Sequence, residues 1–110
     1  MEKHRAFFER RKKQNELVLR KANLTIKRFF ALDHEAYGEG EIPKKYKELL
    51  GLVASTVLRC SDCITYHLVR AKEEGASPEE IAEALSVALV VGGSITIPHL
   101  RGAFEILEDL

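Results

Sequence analysis

Ser77-Pro78-Glu79-Glu80-Ile81-Ala82-Glu83-Ala84-Leu85-Ser86-Val87-Ala88-Leu89-Val90-Val91 is the stretch whose reading decides the fold. Its first four residues are a helix start. Serine can cap free backbone N–H groups, proline fits the first turn, and Glu80 stands where a capping-box partner reaches back. From Ile81 onward the segment is almost all aliphatic, and its apolar side chains go around nearly the whole helix. Such a helix is buried on most of its sides. Ala82, Ala84, Ser86 and Ala88 are small enough to let another helix approach closely. A domain this small covers one or two faces of such a helix. The same stretch therefore predicts an oligomer.

Outward from it, Gly75 suits a left-handed cap on a preceding helix over about Asp62 to Glu74. Pro43 opens an earlier helix, about Pro43 to Leu58, with Tyr46, Leu49, Leu50, Val53, Ala54 and Val57 on its buried side. Gly92-Gly93 ends the aliphatic helix, and a last helix runs to about Glu108. Pro98, early in that helix, marks either its first turn or a kink. On the N-terminal side, Lys3 to Ala31 reads as one helix of irregular apolar spacing, and Tyr37-Gly38-Glu39-Gly40 is a break. The sequence has no sustained period-two alternation and no Asn-Gly or Asp-Gly hairpin turn. The expected fold is all-α, a compact bundle of five or six short helices. It is read as one domain over residues 1–110, with 1–28 as a basic helical arm.

Composition narrows the function. Net charge is zero, yet residues 1–30 hold ten Lys/Arg against three acids, and the remainder is acidic. A basic arm on an acidic body can bind nucleic acid, but the preferred reading is that it complements an acidic surface of its own or a neighbouring subunit. Arg10-Arg11-Lys12-Lys13 is read as a solvated helical face, and nucleic acid is not an expected partner. No apolar run approaches the ~20 residues that span a bilayer, so no membrane role is expected. The charged N-terminus does not resemble a signal peptide, which makes the cytoplasm the expected compartment.

The chain has two cysteines, in Cys60-Ser61-Asp62-Cys63, with His67 four residues beyond. On a helix, i, i+3 and i+7 share one face, so two thiols and an imidazole line up. In the cytoplasm such a pair reads as catalytic or metal-binding rather than structural. Cys60 follows one helix and the next begins at Ser61 or Asp62. The thiols thus lie near a helix N-terminus, where N–H groups and the dipole favour a thiolate without deciding between the two. His67 is placed to take or return a proton. The pair could attack a peroxide or a disulfide and then close on itself. Zinc bound by the two cysteines and the histidine is the alternative, in a non-catalytic helical oligomer, although a structural zinc site takes four ligands. Two inert buried cysteines are a third reading. Glu48 is the carboxylate to add. Hairpin arithmetic sets it opposite about Ala71, one turn from His67 and roughly 5–6 Å away along the axis. His4, His34 and His99 receive no chemistry; His99 is expected near a subunit contact.

The spacing Glu48, Cys60, Cys63, His67 resembles the signature of the alkylhydroperoxidase D-like (AhpD-like) branch of the carboxymuconolactone decarboxylase family. Ile42-Pro43-Lys44-Lys45-Tyr46-Lys47-Glu48-Leu49-Leu50 and Gly75-Ala76-Ser77-Pro78-Glu79-Glu80-Ile81 resemble its helix starts, and the similarity covers about Phe29 to Leu107. The resemblance implies an all-α fold assembling as a homotrimer or homohexamer. It implies a thiol-dependent peroxidase or disulfide oxidoreductase that acts on small hydroperoxides or disulfides. A thiol reductant or a lipoyl or other redox partner protein would restore the dithiol, with no further cofactor. In roles carried over by the resemblance, Cys63 is the nucleophile, Cys60 resolves, and Glu48 and His67 relay protons. The best-known peroxidases of the branch carry a histidine between the cysteines. Asp62 stands there in this chain, where an acid disfavours a thiolate but suits a helix N-terminus. The decarboxylase branch typically lacks the cysteine pair, so its chemistry is a poor match.

Overall fold

The computed structural model describes Glu2–Leu110, with side chains from His4 onward. Among the described residues there are six α-helices, one short 3-10 turn and no strand, as the sequence predicts. The chain forms two compact units. The first runs through Gly38 and includes Asp109, and the second comprises Glu39–Glu108 with Leu110. The boundary falls in the glycine-containing break that the sequence marks. No helix is long and apolar enough to cross a membrane, among the described residues.

The first unit corrects one expectation. Where a single helix from Lys3 to Ala31 is predicted, the chain forms α1 (Glu2–Lys21) and α2 (Leu24–Ala36). Asn23 makes the break. Its backbone is extended, and its side-chain oxygen accepts the Ile26 N–H at 3.0 Å, capping α2. Asparagine is tolerated inside helices, so the apolar pattern alone runs straight through it. No residue of α2 is buried, and Phe29 is 69% exposed. In α1, Arg10 of the basic run lies over the Phe7 ring, 5.9 Å from its centroid.

The second unit is built on α3 (Lys44–Val57), which packs against both α4 (Ser61–Glu73) and α5 (Pro78–Gly92). A 3-10 turn, Ser94–Thr96, leads into α6 (Ile97–Asp109). Leu52, Leu68, Ile81 and Leu85 are almost fully enclosed, and burying such side chains contributes roughly 1.5–3 kcal/mol each. The predicted capping box forms: Ser77 Oγ accepts the Glu80 N–H at 3.0 Å, and Glu80 Oε1 accepts the Ser77 N–H at 2.9 Å. The other Glu80 oxygen meets Lys45 Nζ at 3.2 Å, tying the starts of α3 and α5. Glu39 accepts the Lys44 N–H at 3.0 Å and so caps α3 from before Pro43. Pro98 sits in the first turn of α6.

Two helices end in the same way. After α4, the Gly75 N–H bonds to Lys72 O and the Ala76 N–H to Ala71 O, with Gly75 at φ 99°. After α3, the Arg59 N–H bonds to Thr56 O and the Cys60 N–H to Ser55 O, with Arg59 at φ 60°. Both are Schellman closures, which demand a left-handed residue. At the α3–α4 turn that residue is an arginine, and the turn it makes hands the chain directly to Cys60.

Candidate active site

Cys60 is the N-cap of α4. Its backbone is extended, and its sulfur accepts the Cys63 N–H at 3.3 Å. The sequence puts the helix start at Ser61 or Asp62, and Ser61 is the first helical residue. One turn of helix brings the two cysteine Cα atoms to 5.3 Å, and the sulfurs are joined as a disulfide. Cys60 is half-buried and Cys63 is exposed. The helix N-terminus thus faces a sulfur, the setting that stabilises negative charge there once the bond opens.

Glu48 comes from the buried side of α3, which it shares with Leu52 and Ser55. It is 3% exposed, and a charged group so enclosed needs a partner. The partner is His67, whose Nδ1 lies 2.8 Å from Glu48 Oε1. With Nδ1–H donating to the carboxylate, Nε2 is the basic nitrogen of the neutral ring. Hairpin arithmetic leaves Glu48 one turn short of His67; the packing of α3 on α4 lets the side chains meet. Tyr66 lies edge-on to the imidazole, with ring centroids 5.1 Å apart. His67 follows Cys63 by one turn on α4, and Glu48 reaches it from α3.

His99 was not singled out by its sequence context. The N-terminal turn of α6 carries it to the start of α4, where its Nδ1 lies 3.5 Å from Ser61 Oγ. This contact joins residues 38 positions apart, beyond the reach of any local pattern. His99 thus meets Ser61, the residue after Cys60 in the chain.

The site carries no arrangement of three or more His, Cys, Asp or Glu side chains suited to hold a metal ion, among the described residues. The sulfurs that the zinc alternative would use are bonded to each other.

Residues 24–106 match the model of the carboxymuconolactone decarboxylase family. A protein of Paracoccus denitrificans called uncharacterized protein 4 in cox locus is 30% identical over 74% of each chain. Two crystal structures of a Thermotoga maritima protein superpose with TM-scores of 0.92 and 0.93 at 60% and 62% identity. They cover 96% and 94% of this chain and 89% and 91% of theirs. The first of them is described as a member of that family and named as a candidate for involvement in antioxidative response. A family protein from Legionella pneumophila, 24% identical, shares the fold at a TM-score of 0.87 over 99% of this chain and 97% of its own. With the cysteine pair at the start of α4 and the family match across most of its length, the chain belongs to the carboxymuconolactone decarboxylase family and resembles its AhpD-like branch.

Proposed function

We propose that this protein is a thiol-dependent peroxidase or disulfide oxidoreductase that cycles between a Cys60–Cys63 dithiol and disulfide. The observation that carries the reading is the pairing of buried Glu48 with part-buried His67, 2.8 Å apart, one turn of α4 from a disulfide at a helix N-terminus. Reduced Cys63, the exposed thiol, loses its proton to the His67 ring, and Glu48 stabilises the imidazolium. The Cys63 thiolate attacks the outer oxygen of a hydroperoxide. An S–O bond forms, the O–O bond breaks, and the alkoxide takes a proton and leaves as alcohol. Cys60 then attacks the Cys63 sulfenic acid; the disulfide forms and the oxygen leaves as water. An external thiol, from a small reductant or a lipoyl or other redox partner, attacks the exposed Cys63 sulfur. Cys60 departs as a thiolate held by the Cys63 N–H, and a second thiol of the reductant then attacks the mixed disulfide, leaves as the reductant's own disulfide and frees Cys63. The cytoplasm, which supplies such reductants, is the proposed compartment. The antioxidative association of the Thermotoga relative points the same way.

The assembly proposed for this activity is a homotrimer or homohexamer. The face of α5 opposite Ile81, Leu85 and Ala88 leaves Val87, Val90 and Val91 exposed, Val90 at 84%. Together with Tyr46, Leu50 and Val57 of α3, Val87 and Val91 line an apolar groove of about 580 Å³. Its entirely apolar character fits the same surface of another copy better than water.

The test uses single cysteine variants. Cys63→Ser is expected to abolish turnover of a small hydroperoxide, and Cys60→Ser to accumulate a sulfenic acid on Cys63, trapped with a dimedone-type probe. Two freely alkylated thiols after mild peroxide treatment of the wild-type chain would refute the redox reading. A sulfenic acid on Cys60 in Cys63→Ser, with turnover retained, would reverse the assigned roles.

A further inference from the structure

The redox cycle releases a proton from each of two thiols, yet the Glu48–His67 pair lies on the Cys63 side. Cys63 is exposed, so water and buffer also reach it. Cys60 is half-buried, at the mouth of the α3–α4 turn. Its N-cap position lowers the cost of charge on its sulfur but supplies no base for its proton. The next residue in the chain is Ser61, whose Oγ lies 3.5 Å from His99 Nδ1. Asp62 is the other polar residue of that turn. It is exposed, and a carboxylate is a weaker base than an imidazole by roughly 2.6 pH units in water. An imidazole lies nearer to a thiol in proton affinity and is the better carrier.

We propose that His99, acting through the Ser61 hydroxyl, is a positioning residue that receives the proton of Cys60 when the disulfide closes. Each thiol is then served by its own imidazole: Cys63 by His67 of α4, and Cys60 by His99 of α6. In the closing step the Cys60 proton passes to Ser61 Oγ while the Ser61 proton passes to the His99 ring. The Cys60 thiolate forms a bond to the Cys63 sulfur, and the bond from that sulfur to its leaving group breaks. In the peroxidase cycle the leaving group is the sulfenic oxygen, which departs as hydroxide and takes a proton to become water. The inference rests on the dithiol–disulfide chemistry proposed above, but only on its second step. His99 therefore has a test that does not need a hydroperoxide.

The probe is the aromatic disulfide dithionitrobenzoate, mixed with the reduced full-length chain and followed by stopped-flow absorbance. One aryl thiolate is released as the probe is attacked, forming a mixed disulfide. A second is released as the other cysteine closes the ring. His99→Ala is expected to slow the second release by roughly 10²-fold, the low end for a positioned acid or base. Added imidazole is expected to restore it. His99→Asn keeps a hydrogen-bonding group for Ser61 but carries no proton, and is expected to remain slow. Ser61→Ala is expected to slow the same release with His99 in place. A second release at the wild-type rate in His99→Ala, full recovery in His99→Asn, or no recovery with imidazole would each overturn the assignment. If the wild-type chain closes its disulfide with the probe but consumes no hydroperoxide, the peroxidase reading fails while the role of His99 stands.

Discussion

Removing the His67 ring separates two demands on the Glu48–His67 pair, stability and proton transfer. Glu48 is 3% exposed, and its hydrogen-bond partner is His67. His67→Ala leaves a buried carboxylate without that partner, a change that typically costs ~3–5 kcal/mol. For a domain of this size that corresponds to a fall in melting temperature of roughly 10–20 °C. Glu48→Gln is milder. The amide oxygen can still accept the Nδ1–H, and a neutral bond replaces a charge-assisted one at a cost of about 1 kcal/mol. The double variant His67→Ala/Glu48→Gln removes the stranded charge, so it is expected to be more stable than His67→Ala alone. Urea unfolding of the four proteins, oxidised so that the disulfide is constant, gives the cycle. Reduced samples give the chemistry: His67→Ala and Glu48→Gln should each slow Cys63 alkylation at neutral pH by roughly 10²–10⁴. That is a barrier increase of about 2.7–5.4 kcal/mol. A double variant less stable than His67→Ala would refute the buried-charge reasoning. Alkylation rates matching wild type from about pH 5 to pH 9 would remove both residues from the proton relay.

Arg59→Gly relieves a left-handed residue that costs ~1–2 kcal/mol and gives back ~0.5–1 kcal/mol in chain entropy. It should therefore raise the unfolding free energy by about 0.5–1 kcal/mol, and a lower denaturation midpoint would mean that the arginine side chain contributes more than its backbone costs. The Glu80–Lys45 bridge has a defined pH window. The Ser77 N–H, then Lys45, hold the Glu80 carboxyl below its ordinary 4.5, and the hydrogen bond to Glu80 holds Lys45 above its ordinary 10.5. The Glu80 contribution is present above the unfolded carboxylate value and is lost as pH falls through the lower folded one. The Lys45 contribution is present below the unfolded lysine value and is lost as pH rises through the higher folded one. Glu80→Gln should therefore flatten the acid limb of the stability profile and the bridge's share of the alkaline limb; an unchanged profile would show that solvent screens the pair fully. Val87→Glu, in the apolar groove, should dissociate the proposed assembly in light scattering while preserving helicity, and a wild-type chain that stays a 12.4 kDa particle at micromolar concentration would refute that proposal.

The residues of the site divide by the range of the forces that place them. Cys60, Cys63 and His67 belong to one helix and its cap, so the sequence alone sets their mutual register. Helical geometry fixes which positions share a face. The capping box at Ser77 and Glu80 and the glycine closure at Gly75 were legible for the same local reason. The all-α class followed from apolar period and helix-start chemistry. Glu48 was visible as a candidate, but its bond to His67 depends on how α3 crosses α4, which side-chain packing decides. Asn23 broke the first helix because a side-chain cap won over continuous helix, a choice close in energy and unmarked by the apolar pattern. The left-handed Arg59 was invisible because nothing in an arginine announces that conformation; the tertiary requirement to turn α3 into α4 imposes it. The apolar circumference of α5 was read from sequence, but only the packing decided that Ile81, Leu85 and Ala88 face inward while Val87, Val90 and Val91 stay outside. His99 reaches Ser61 across 38 residues through the chain's path over α5 and into α6, and no local rule encodes that path.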